Sequence, residues 1–108
     1  MTDTSKVLAQ SIPAAVTLTD VYTVPAATSA VISTIKVCNQ STATTFRISV
    51  AVAGAANATK QYLYYDLPLA ANDSFSSTEG WTLAATDVLR CYSASGLVSF
   101  NVFGVQIT

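Results

Sequence analysis

Apolar and polar residues alternate along most of this chain with a period of two, the pattern of strands that bury one face. Thr44 to Ala53 reads T-T-F-R-I-S-V-A-V-A, which places Phe46, Ile48, Val50 and Val52 on one face and Arg47 and Ser49 on the other. Val31 to Cys38 predicts a second strand, with Val31, Ile35 and Val37 inward and Thr34 and Lys36 outward. From Leu97 to Ile107, Val98, Phe100 and Val102 share one face while Phe103, Val105 and Ile107 share the other. That run predicts either burial on both sides or a bulge near Gly104 that exchanges the faces. Further strands are expected over Ala14–Thr19, Val21–Val24, Lys60–Leu69, Asp73–Leu83 and Asp87–Ser93.

Turn-forming clusters separate these runs: Pro25–Ser29, Asn39–Thr42, Gly54–Asn57, Ala70–Asp73, Ala84–Thr86 and Ser93–Gly96. Pro13, Pro25 and Pro68 lack a backbone donor and belong at strand ends or edges. The pattern predicts an all-β chain: one antiparallel β-sandwich or jelly-roll-like domain of about seven to nine short strands. Thr17-Leu-Thr-Asp-Val21 echoes Thr82-Leu-Ala-Ala-Thr-Asp-Val88, and two similar corners using Thr-Asp explain the echo more simply than a duplication.

Composition sharpens the picture. In 108 residues there are five Lys+Arg against six Asp+Glu, a net charge of −1, with 51% apolar residues, 10% charged residues and no histidine. Soluble domains are typically about 25% charged, so Ser, Thr, Ala and Asn must form much of this surface. Five scattered cations make no footprint for nucleic acid. A surface so nearly neutral repels its neighbours weakly and favours association.

Little chemistry is offered. Without histidine, Ser-His and Cys-His nucleophilic arrangements are impossible. Asp66, Asp73 and Glu79 are too dispersed to suggest paired carboxylates for glycoside hydrolysis, and no calcium loop, zinc set or glycine-rich phosphate loop is present. A non-enzymatic protein with no cofactor and no metal is expected. The start of the chain lacks the basic segment and uninterrupted apolar stretch of a signal peptide, and no run has the length of a membrane helix. A membrane β-barrel is not expected either, since eight spanning strands strain this length. Cys38 and Cys91 are therefore expected as reduced, small buried side chains, and the sequons at Asn39, Asn57 and Asn72 as turn asparagines.

The aromatic group Tyr62, Tyr64, Tyr65, Trp81 and Tyr92 is the most notable candidate for a surface. With Leu63, Tyr65 and Leu67 turned to the core, Tyr62 and Tyr64 would lie outside. There they could pack on a neighbour, anchor an interface or, with Trp81, stack on a sugar.

The whole pattern resembles a group of small structural proteins of tailed bacteriophages and prophages. The residues that carry the resemblance are Thr17–Ala26, Val37-Cys-Asn, Ala43–Arg47, Tyr62–Asp66, Leu83–Val88 and Val98–Gly104, and it covers about nine-tenths of the chain. It implies a virion component made in the bacterial host cytoplasm. The role it favours is capsid decoration, a cement protein that clamps neighbouring subunits of the major capsid protein. A tail, baseplate or fibre-attachment protein, or a carbohydrate-binding module, are the alternatives. Other virion proteins and a homo-oligomer, dimer or trimer, are the expected partners, with no nucleic acid and no membrane. Few lysines guard the sheet edges, so a partner or the N-terminal segment should cover them. Residues 1–11 are expected to form an arm that orders on a neighbour, with Val7, Leu8 and Ile12 adding a short strand, and residues 12–108 to form the β-sandwich.

Overall fold

The alternation seen in the sequence becomes two antiparallel sheets packed face to face. The computed structural model describes residues 2–108 and contains nine strands. These are β1 (Asp3–Ser11), β2 (Thr19–Thr23), β3 (Ser29–Asn39), β4 (Thr44–Ala51), β5 (Tyr62–Leu69), β6 (Ser74–Ser77), β7 (Trp81–Leu83), β8 (Val88–Ser93) and β9 (Val98–Ile107). Sheet A has the order β1-β9-β3-β6, with β7 also paired to β3; sheet B has the order β2-β8-β4-β5. The chain is an all-β sandwich.

Side chains from the facing surfaces interdigitate to form the core. Phe46 of β4 meets Phe100 of β9 edge-on across the sandwich, at 6.1 Å between ring centroids and 68° between planes. Ile32, Ile35 and Val37 from β3, Val98 and Val102 from β9, Ile48 from β4 and Leu89 and Cys91 from β8 complete the layer. Each such side chain contributes on the order of 1.5–3 kcal/mol by leaving water. The Tyr22 hydroxyl accepts from Gln106 Nε2 at 2.7 Å, a polar tie between the sheets.

Bulges account for the places where strict alternation misleads. In β3 the register against β9 shifts between Ile32 and Thr34, so Ile32 is buried and Val31 is turned outward, the reverse of the simple reading. β1 shifts between Val7 and Ala9, at the same level of the sheet. β9 itself runs unbroken, and its two apolar faces are an inner one and an outer one. Gly104 adjoins Phe103, the position flanked by both bulges; a Cβ on Gly104 would lie 2.1 Å from the Val31 carbonyl oxygen. Val52 leaves the strand pattern for a 3-10 turn and is exposed. Asp73–Leu83 divides into β6 and β7 around Thr78–Gly80, and Ala14–Leu18 holds only a bridge from Ala15 to Ser93.

Two polar side chains hold the turns. Asn39, buried at the end of β3, donates to the carbonyls of Thr42 and Ala70 and accepts from the amide of Ser41. Asp87 accepts from the amides of Ala53 and Ala84, both at 2.9 Å, and joins two loops at one end of the sandwich. Asp20, its counterpart in the sequence echo, instead lies on β2 and pairs with Arg90, so the echo carries no repeated structure.

The expected N-terminal arm is a strand of the sheet. Residues 3–11 pair along β9 from Asp3–Ile107 to Ser11–Phe100, and the amide of Thr2 bonds the Thr108 carbonyl; Met1 lies outside the described residues. The apolar outer edge of β9 gains more from this intramolecular ladder than an unattached segment would by waiting for a neighbour.

Candidate functional site

Two outward surfaces have enough structure to be considered sites, one on each sheet. On sheet B, alternation along β4 turns Arg47 and Ser49 away from the core, and cross-strand pairing sets Tyr92 and Arg90 of β8 beside them. Across β4 lies β5, whose register shifts twice and whose Asp66 has a φ of 49°. That left-handed residue reverses the faces expected for β5. Tyr64 points inward, against Phe46, Phe75 and Trp81, with Tyr64–Trp81 centroids 6.1 Å apart. Tyr65 points outward and is 57% exposed, and Tyr62 stands against it edge-on at 5.0 Å. The tyrosine pair expected outside is therefore split between the two sides.

The Arg47 guanidinium lies between two rings, 4.2 Å from the Tyr65 centroid and 4.3 Å from that of Tyr92. Its fork donates to both oxygens of Asp66, at 2.6 and 3.2 Å. The hydrogen bond to Asp66 raises the Arg47 pKa further above its ordinary value, so its charge is fixed. Arg90 donates to Asp20 at 2.8 Å and to the Ala55 carbonyl at 2.9 Å. Every cation on this face is already matched, which makes it a plate held by its own partners.

On the inner side of β5, Tyr64 donates to Glu79 Oε1 at 2.5 Å and lies 3.1 Å from Ser77 Oγ. Burial and then the contact with Glu79 push its pKa up, so the phenol stays neutral and cannot serve as a base near neutral pH. Burial likewise raises the pKa of the Cys91 thiol, while Cys38 is half-buried; both are free thiols. Among the described residues no group of three His, Cys, Asp or Glu is placed to hold a metal ion, and no helix is long and apolar enough to cross a membrane. A pocket of about 240 Å³ lies between the end of β4 and the following loop, lined by Val50, Val52, Ala55, Lys60 and Gln61.

Sheet A offers a different surface. Val7 of β1 pairs with Phe103 of β9, which pairs with Thr34 of β3; one step along, Ser5, Val105 and Val31 form the next row. Val7 is 47% exposed and Phe103 37%. The charges on this face are Asp3 at one end and Lys36 toward the other, where it donates to Ser76 Oγ. Of the interface residues expected from sequence, Val7 lies on this surface and Ile12 is exposed just beyond β1, whereas Leu8 packs against the core. Trp81 is half-buried and joins Tyr64, while Tyr62 belongs to the Arg47 plate. Phe103 and Arg47 were missed, and Tyr65, expected in the core, is exposed instead; the split apolar faces of β9 were the signal for Phe103.

Comparisons with protein-family models, with curated proteins and with solved structures give no match to this chain.

Proposed function

We propose that this chain is a non-enzymatic structural protein of a bacteriophage particle, a decoration module that clamps neighbouring subunits of the major capsid protein. The observation that carries the reading is the outer face of sheet A, where Val7 and Phe103 lie exposed on a broad sheet with charges only at its ends. A lone soluble sandwich gains nothing from such a face, whereas a protein seated on a shell covers it. The near-neutral composition and the resemblance in sequence pattern point the same way.

The purified chain should co-sediment with assembled shells that lack it, and Phe103→Asp should weaken that binding at least about tenfold with unchanged folding. Shells that take up neither protein would end this reading. Copy number in particles separates a head position, on the order of hundreds, from a tail or baseplate position set by a low-order ring.

A carbohydrate-binding module is the second reading, and the exposed ring of Tyr65 beside Arg47 favours it. The platform is then Tyr62, Tyr65 and Tyr92, since Tyr64 and Trp81 face inward. Glycan binding abolished by Tyr65→Ala would support it, and no response from any glycan would exclude it.

A further inference from the structure

The sandwich has four sheet edges, and they are unequally protected. In sheet B, β5 carries Pro68, which has no amide to donate, and is kinked at Asp66; β2 is five residues long and shifts register between Asp20 and Tyr22. The far edge of sheet A is shared by β6 and β7, of four and three residues, with a break between them. Short length, proline and irregular register are the devices that stop an edge from pairing further. β1 is different. It spans nine residues without proline or glycine, and its one irregularity is the bulge at Leu8.

We propose that β1 pairs antiparallel with β1 of a second copy of this chain about a two-fold axis at Val7, joining the two copies of sheet A into one continuous ten-stranded sheet. Three observations select this occupant and this register. Val7 is the midpoint of Asp3–Ser11, so an axis there uses the strand along its whole length. On the outer face it brings Val7 against Val7 of the second copy, with a Phe103 beyond each, and merges two exposed apolar patches into one stripe Phe103–Val7–Val7–Phe103. An axis at Lys6 would oppose two ammonium groups, and one at Ser5 would set Asp3 against Val7; the axis at Val7 opposes no like charges. With the bulge at Leu8 followed in both copies, Lys6 faces Ala9 and Ser5 faces Gln10. At a net charge of −1 the two copies repel each other little.

The inference does not depend on the particle reading. Sedimentation equilibrium of the free chain should show a dimer of the 11.3 kDa protomer at micromolar to submillimolar concentration. Val7→Lys, which places two ammonium groups at the axis, should raise the dissociation constant at least about tenfold while the circular dichroism stays that of the sandwich. Leu63→Lys, on the β5 edge, should leave the dimer intact. In a Cys38→Ser background, Val7→Cys should become a covalent dimer under mild oxidation, faster than the background protein alone. That measurement stands even if Val7→Lys fails to fold. A monomer throughout the range, a dimer indifferent to Val7→Lys, or no covalent dimer from Val7→Cys would each overturn the proposal. A monomer that still bound shells would overturn it while leaving the proposed function untouched.

Discussion

The outer faces of the two sheets solve the problem of low charge in opposite ways. Sheet B gathers both of the chain's arginines onto one face, matches each with an aspartate, and stacks Arg47 between Tyr65 and Tyr92. Sheet A keeps Asp3 and Lys36 at its ends and leaves Val7 and Phe103 uncovered between them. A face that satisfies itself contributes to the stability of the isolated molecule. A face left apolar contributes only when something covers it. Substitutions should therefore cost folding on sheet B and association on sheet A.

The largest effect tests the frame behind that comparison. Gly104 adjoins Phe103, the position flanked by the bulges of both β1 and β3, and a Cβ on Gly104 meets the Val31 carbonyl oxygen at 2.1 Å, a contact only backbone movement can relieve. Gly104→Ala should cost about 3 kcal/mol or more, measured by denaturant unfolding, and should abolish any association through sheet A as well. If it were neutral, the bulges would be adaptable and the outer face of sheet A would lose its rigid basis.

The contrast itself is tested next. Asp66 is 42% exposed, so its ion pair with Arg47 is worth at most about 1 kcal/mol alone. Two stacked rings add to it, and Arg47→Ala should cost about 1–2 kcal/mol in total. Arg47→Lys should recover little of this, because an ammonium neither forks onto a carboxylate nor lies flat between rings. Phe103→Ser on the opposite face should cost less than about 0.5 kcal/mol in the isolated protomer. Equal costs on the two faces would erase the distinction.

Tyr64 gives a smaller, pH-dependent effect. Its pKa is raised in the folded protein by burial and by Glu79, so the folded state retains a proton that the unfolded chain releases near pH 10. Stability is then full below that pH and declines as pH rises toward the folded value. The raised Cys91 thiol acts in the same direction from about pH 9. Tyr64→Phe should remove part of the alkaline decline in melting temperature, and an unchanged slope would place Tyr64 outside the sandwich after all.

How much of this was legible beforehand depends on where the backbone keeps its period. The core positions Phe46, Ile48, Val98, Phe100 and Val102 follow from alternation, as do the two-sheet class and the turns around Asn72, Thr86 and Gly96. Alternation carries no information about bulges, and the inverted faces lie beside them: Val31 and Ile32 at the bulge of β3, Tyr64 and Tyr65 next to left-handed Asp66. The Arg47 plate was hidden in part for the same reason, since Tyr65 was expected in the core and only the irregular register of β5 turns it out beside Arg47. The strand character of residues 3–11 was hidden differently. Six of its nine residues are polar or charged, and only the uncovered edge of β9 makes a strand of it.

The smallest expected change comes from the centre of the matched face. Ser49 is fully buried between Tyr62 of β5 and Arg90 of β8, and its Oγ has no hydrogen-bond partner among the described residues. A hydroxyl taken from water without a partner is a cost, and removing it while keeping the methylene should relieve that cost. Ser49→Ala should be neutral or stabilising by up to about 1 kcal/mol, with no change in the shell binding or self-association assigned to sheet A. Destabilisation instead would mean that the hydroxyl is engaged by water held beneath Arg90 and Tyr62. The face of sheet B would then be hydrated and yielding where its ion pairs imply a closed plate, and the contrast with sheet A would rest on Arg47 alone.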